Sequence, residues 1–166
     1  MAERRIGFIP NALDVSQQSR CVFVTDTRTI EVVEETPKSL KEEFRATFGR
    51  SPSENLELRP KVDFAAVDID SLTSVKGNTS IRHMSIEKLK VGKGIGGYGI
   101  WMTYRPDGEK ANYLVLDLTP PKELIRKRKS EGVSARETRR RYAMRCQEVY
   151  RKALPPIVAE KVDWRI

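Results

Sequence analysis

Residues 97–118 read GYGIWMTYRPDGEKANYLVLDL. Two runs of aromatic and aliphatic residues, 97–104 and 112–118, flank Arg105-Pro106-Asp107-Gly108-Glu109. Asp-Gly is a strong hairpin signal, because a tight turn between right-twisted strands needs residues that tolerate positive φ. The spacing predicts two antiparallel strands. Alternation places Tyr98, Ile100, Met102 and Tyr104 on one face of the first strand and Trp101 and Thr103 on the other. One of these faces must be core; an exposed tyrosine face would offer unpaired bases a surface on which to stack.

Just upstream, Val91-Gly92-Lys93-Gly94-Ile95-Gly96-Gly97-Tyr98-Gly99 carries half of the chain's ten glycines. Gly92, Gly94 and Gly97 match GxGxxG, but a dinucleotide-binding turn leads from a strand into a helix, and here a strand follows. Gly92, Gly94, Gly96 and Gly97 remain a candidate phosphate loop, since consecutive amides can form an anion nest. Lys90 and Lys93 lie beside it. The plainer alternative is a loop or a bulged strand edge.

Further toward the N-terminus, 21–25 and 29–33 are β-rich runs on either side of Asp26-Thr27-Arg28, a second hairpin. Thr36 and Pro37 suit a helix start, and Leu40, Phe44 and Phe48 recur at helical spacing until Gly49. Residues 50–60 read as a surface connection and 62–69 as a strand, while 81–91 fits either a strand or a short helix. Residues 1–19, polar and interrupted by Pro10, read as an irregular arm.

Downstream of the hairpin, Thr119-Pro120-Pro121 turns the chain into a helix that Thr119 would cap and Gly132 would stop. Ser134-Ala135-Arg136-Glu137 is a capping-box pattern opening a second helix that runs to about Leu154. Its apolar stripe would be Ala135, Tyr142, Cys146, Val149 and Ala153, with Arg136, Arg140, Arg141 and Arg145 toward solvent until Pro155-Pro156. Trp164 in the following tail would anchor back on the body.

Charge sharpens the picture. Residues 119–152 carry twelve Lys and Arg against four Glu, a net +8 equal to that of the whole chain. Cations confined to one segment attract polyanions and release their counterions, so nucleic acid is the leading partner. The residues expected to carry it are Arg136, Arg139, Arg140, Arg141 and Arg145, with Lys127, Arg128 and Lys129 assisting and Lys90 and Lys93 on a second surface. Arg predominates, and its planar fork fits phosphate oxygens and guanine edges. A helix-turn-helix fits poorly, because the first helix offers only Leu124 and Ile125 against the second.

Gly97-Tyr98-Gly99-Ile100 resembles the opening of the RNP1 strand of RNA-recognition domains, and Val22-Phe23-Val24 followed by 38–49 resembles their first strand and helix. The resemblance stops there, since a hairpin rather than a helix follows the second strand. An enzymatic rival is a Mg²⁺-dependent nuclease or phosphoryl-transfer protein, with Asp68 and Asp70 on one strand face beside the Gly-Lys loop. A third reading is a viral matrix, scaffold or adaptor protein whose basic face meets acidic partners or anionic lipid. Glu34-Glu35 and Glu42-Glu43 could dock that face within the chain or across a homo-oligomer. His83 is the single histidine and has no second ligand at metal or triad spacing. Cys21 and Cys146 read as buried free thiols of a reducing compartment.

These patterns predict an α+β fold: an antiparallel sheet including the 97–118 hairpin, one N-terminal helix and a basic two-helix C-terminal region. The expected division is an arm (1–19), an α+β core (20–118), a basic helical region (119–154) and a tail (155–166). The expected function is nucleic-acid binding, to DNA or RNA, without catalysis, cofactor, metal or membrane span. Such composition suits a viral, phage or mobile-element protein of the cytoplasm, or of a host nucleus.

Overall fold

The strands at 98–104 and 112–117 bury alternate residues, whereas the runs at 21–25 and 29–32 are buried on both faces, in a computed structural model that describes residues 2–33 and 66–166. The strands are β1 (Arg5–Leu13), β2 (Ser19–Thr25), β3 (Arg28–Val33), β4 (Thr79–Arg82), β5 (Ile86–Lys93), β6 (Tyr98–Tyr104), β7 (Asn112–Asp117) and β8 (Val162–Asp163). They form one eight-stranded sheet in the order β4-β3-β2-β1-β7-β6-β5-β8. Neighbours are antiparallel except β5 and β8, which makes the sheet mixed. Two meanders therefore lie side by side, and they meet where Leu13 of β1 faces Asp117 of β7.

The helices are α1 (Ile69–Ser74), α2 (Lys122–Ser130), α3 (Ala135–Ala153) and α4 (Pro156–Ala159). Helix α3 packs against strands of both meanders, β1 and β2 on one side and β5 and β6 on the other. One core cluster joins Ile9, Val22 and Val24 to Ile100, Met102 and Leu116 through Tyr142, Cys146 and Tyr150 of α3. A smaller cluster lies on the other face of the first meander, where Leu72 of α1 covers Cys21, Phe23, Ile30 and Val32. Cys21 and Cys146 are buried and unbridged, and burial pushes the Cys146 thiol up to about 12.

Both expected hairpins form. Tyr104 pairs with Asn112 and Gly99 with Asp117 around a turn in which Gly108 has φ +72°. Val24 pairs with Thr29 across Asp26 and Thr27. The segment 81–91 divides into β4, a 3₁₀ turn (His83–Ser85) and β5. Residues 5–13 form β1 and not an irregular lead-in. Pro10 is accommodated because the β1–β2 register shifts between Ile9 and Ala12, a bulge where no ladder amide is needed. The strand expected at 62–69 does not extend to its end, since Asp68 caps α1 and Ile69 begins it. Residues 62–65, the helix expected after Pro37, the 50–60 connection and the Glu34-Glu35 and Glu42-Glu43 pairs lie outside the described residues.

His83 is fully buried, with Nε2 3.2 Å from the Thr29 hydroxyl, which in turn lies 3.4 Å from the Tyr150 hydroxyl. Burial lowers the imidazole pKa to about 4. A histidine less basic in the folded than in the unfolded chain gives stability that is whole above pH 6.5 and fades as pH falls through 4. Chemical unfolding between pH 7.5 and 4.5 should therefore show a loss of up to about 3 kcal/mol that His83→Gln lacks. Parallel pH profiles for the two proteins would refute this role.

Candidate nucleic-acid interface

The basic region is built by two helix ends and the turn between them. Helix α2 starts after Pro121, which occupies the cap position without a side-chain hydrogen bond, so Thr119 does not serve as the cap. Lys127, Arg128 and Lys129 fill its last turn, where cations face the negative end of the helix dipole. The helix closes in a Schellman turn. Val133 N–H donates to the Arg128 carbonyl (2.9 Å) and Gly132 N–H to the Lys129 carbonyl (3.1 Å). Gly132 supplies the φ of +85° that this motif requires.

Ser134 then caps α3, its hydroxyl accepting the Glu137 N–H at 3.1 Å. The box is half made. Instead of returning to the cap, the Glu137 carboxylate accepts from Arg141 (3.0 Å) and Arg140 (3.5 Å), one helical turn ahead. The buried face of α3 is Thr138, Tyr142, Ala143, Cys146, Gln147, Tyr150 and Ala153. Val149 lies at its margin and Ala135 before it, because the helix is rotated to bring Gln147 and Tyr150 inward. This face is committed to the sheet, which leaves α3 unlike the recognition helix of a helix-turn-helix.

Arg136, Arg139, Arg141 and Arg145 are exposed and Arg140 is half-buried. Three of the arginines converge. Arg128 from α2 and Arg141 and Arg145 from α3 line one cavity of about 130 Å³, floored by Leu124, Val133 and Tyr142. Arg145 also borders a neighbouring groove of about 250 Å³ between β1 and α3, where Lys152 and Glu148 sit above Phe8, Ile9 and Pro10. Arg128 pairs with Glu131 at 3.1 Å, as Arg141 does with Glu137. Each such pairing uses one nitrogen of a guanidinium that carries five N–H donors, so capacity for an oxyanion remains.

The glycine-rich segment is a turn between β5 and β6, closed by Gly94 N–H donating to the Gly97 carbonyl at 2.6 Å. Its glycines are placed against protein. A Cβ on Gly92 would lie 2.0 Å from the Arg165 carbonyl oxygen, and one on Gly94 would lie 2.4 Å from the Trp101 ring. Within this segment the space is open at Gly96 and Gly97 alone. Lys93 is exposed at the end of β5, its backbone N–H bonded to the Arg165 carbonyl (3.1 Å). Lys90 lies 3.9 Å from Asp163 and 5.6 Å from the Trp101 ring centroid.

Tyrosines do not form the exposed face of β6. Ile100, Met102 and Tyr104 point into the core beneath α3, which turns Trp101 and Thr103 outward. Trp164 stacks on the Arg151 guanidinium (4.3 Å), and its carbonyl accepts from Gln147 Nε2 at 2.9 Å, so the tail is anchored on α3. Asp68 and Asp70 belong to the start of α1 rather than a strand face. Asp68 accepts from Ser71 Oγ (2.6 Å), and Asp70 pairs with Arg28 (2.9 Å). Among the described residues, no three His, Cys, Asp or Glu side chains group as metal ligands, and no helix is long and apolar enough to cross a membrane.

Comparison with protein-family models, with curated proteins and with solved structures finds no match to this chain.

The surroundings of the glycines yield a sharp contrast. Gly92→Ala should cost about 1–3 kcal/mol of unfolding free energy, because the added methyl meets backbone that cannot move aside without shifting the tail. Gly96→Ala should stay within about 0.5 kcal/mol of the parent. Equal effects at the two positions, measured by urea unfolding, would contradict the packing described.

Proposed function

We propose that this protein binds nucleic acid without catalysis, holding phosphates with the basic surface of α2 and α3. The observation that carries the reading is the convergence of Arg128, Arg141 and Arg145, from two helices, on one cavity. Arginines carried on two helices whose junction is fixed by a Schellman turn and a serine cap are better organised for oxyanions than the same charges on a mobile tail. Arg136 and Arg139, exposed on the first turns of α3, extend the cationic surface, as do Lys127 and Lys129. The segment's net charge of +8 supplies a long-range field that steers a polyanion to them.

Fluorescence anisotropy with labelled single- and double-stranded DNA and RNA, repeated at several salt concentrations, tests the reading. Log affinity should fall linearly with log salt, and Arg128→Ala/Arg141→Ala/Arg145→Ala should flatten the slope by roughly 0.7–0.9 for each phosphate that is no longer neutralised. Circular dichroism should be unchanged, since all three side chains lie at the surface. An unaltered slope in the triple variant, or no binding at low salt, would transfer the basic face to an acidic protein or an anionic lipid surface.

A further inference from the structure

Across the sheet from α3, the outer face of β5, β6 and β7 presents a second surface that shares no residue with the arginine cavity. Cross-strand register arranges it in rows: Lys88 beside Thr103 beside Tyr113, then Lys90 beside Trp101 beside Val115. Trp101 and Tyr113 are thus diagonal neighbours on adjacent strands, a relation that places side chains about 7–8 Å apart at the backbone. Tyr113 is 74% exposed, the extreme among the tyrosines described. The face opens into a shallow depression of about 530 Å³, bordered by Lys161 and Asp163 from the β8 edge.

Trp101 is held in a built seat. Its six-membered ring lies against the backbones of Gly94 and Gly99, where an added Cβ would meet it at 2.4 and 2.9 Å. Part of the glycine cluster thereby exists to let an indole lie down on the sheet. A flat, fixed aromatic surface loses little entropy when another ring stacks on it. Lysines border it, Lys88 and Lys90 projecting from β5 and Lys161 standing at the rim, with the exposed Asp117 of β7 on the same face opposite Gly99. Asp163 is already engaged, with Arg165 at 2.7 Å and Lys90 at 3.9 Å, and these partners hold its carboxyl well below the usual range. Lysine is depleted in protein–protein interfaces, whereas lysines around an exposed tyrosine and a half-buried indole suit a single-stranded polyanion with π-faced bases.

We propose that the outer face of β5–β7 binds single-stranded nucleic acid, with Trp101 and Tyr113 stacking neighbouring bases and Lys88, Lys90 and Lys161 meeting the phosphates. A base in a duplex is already stacked on both sides, so this face takes strands whose bases are free. The Lys90 ammonium sits on a flexible stem and can pass from the Trp101 ring to a phosphate.

The test uses the full chain carrying Trp164→Phe, which leaves Trp101 as the single tryptophan. Titration with oligothymidylate should quench its fluorescence. Tyr113→Ala, an exposed truncation that spares the core, should weaken oligothymidylate binding by roughly 5- to 150-fold while leaving duplex affinity unchanged. In Arg128→Ala/Arg141→Ala/Arg145→Ala, quenching of Trp101 should persist. Duplex binding indifferent to those arginines, with quenching intact, would overturn the arginine reading alone. The platform itself is overturned if oligothymidylate leaves Trp101 fluorescence unchanged, or if Tyr113→Ala and Lys88→Ala both bind single strands as the parent does. Equal quenching by polyglutamate would assign the face to an acidic protein, and self-association abolished by Tyr113→Ala would assign it to a second copy; either result also overturns it.

Discussion

Three side chains of α3 hydrogen-bond to three different strands, and the joining of the two meanders depends on them. The Tyr142 hydroxyl donates to the Asn11 carbonyl (2.8 Å) and accepts the Asn11 N–H (3.1 Å), closing the β1 bulge. Gln147 Nε2 donates to the Val91 carbonyl of β5 at 2.5 Å. Tyr150, with no exposed surface, receives the Thr29 hydroxyl of β3. Between β1 and β7 the ladder supplies a single paired position, so the sheet cannot hold its halves together by backbone bonding alone. Burying Tyr150 and aligning these polar groups supplies the missing cohesion. Truncating a buried aromatic of this size costs about 3–5 kcal/mol, and each buried polar partner left without its bond costs about 1–3 kcal/mol more.

The same constraint sorts the charges. Once α3 has committed Tyr142, Cys146, Gln147 and Tyr150 to the sheet, helical geometry turns Arg141, Arg145 and Lys152 to its far side. The sheet is likewise divided: α3 takes the face bearing Ile100 and Met102 and leaves the face bearing Trp101. The fold thus carries two cationic surfaces on opposite sides of one layer, arginine-rich on the helices and lysine-rich around aromatic rings on the strands. A flexible strand could meet both, whereas a rigid duplex could lie along only one.

Local signals were readable where the physics is local. Asp107-Gly108 fixed a hairpin, Gly132 a helix stop and Ser134 a helix start, because each acts through backbone geometry within a few residues. The half-made capping box could also have been anticipated, since Glu137 stands three and four residues before Arg140 and Arg141 and competes for them. Strand β1 was hidden by Pro10, whose missing amide matters only if the register is regular there. The orientation of β6 was hidden for another reason: both faces carry aromatic residues, and which one meets α3 is decided 40 residues later in the chain. Gly92 and Gly94 invited a ligand reading because their neighbours, the Arg165 carbonyl and the Trp101 ring, are brought by tertiary structure.

Asn11 and Tyr142 are separated by 131 positions, and the helix that bridges the meanders follows seven of the eight strands among the described residues. Closing so long a loop must precede any reward from the pairing, which makes assembly slow and late. During synthesis, strands β1 to β7 are made before α3, so Ile9, Val22, Ile100 and Leu116 exist before the helix that covers them. Until residue 153 emerges, the nascent chain presents two half-sheets with apolar inner faces and open edges, the form most prone to pair with another chain. A temporary partner for those faces, or rapid completion of the helix, is therefore a requirement of biosynthesis that the finished molecule no longer displays.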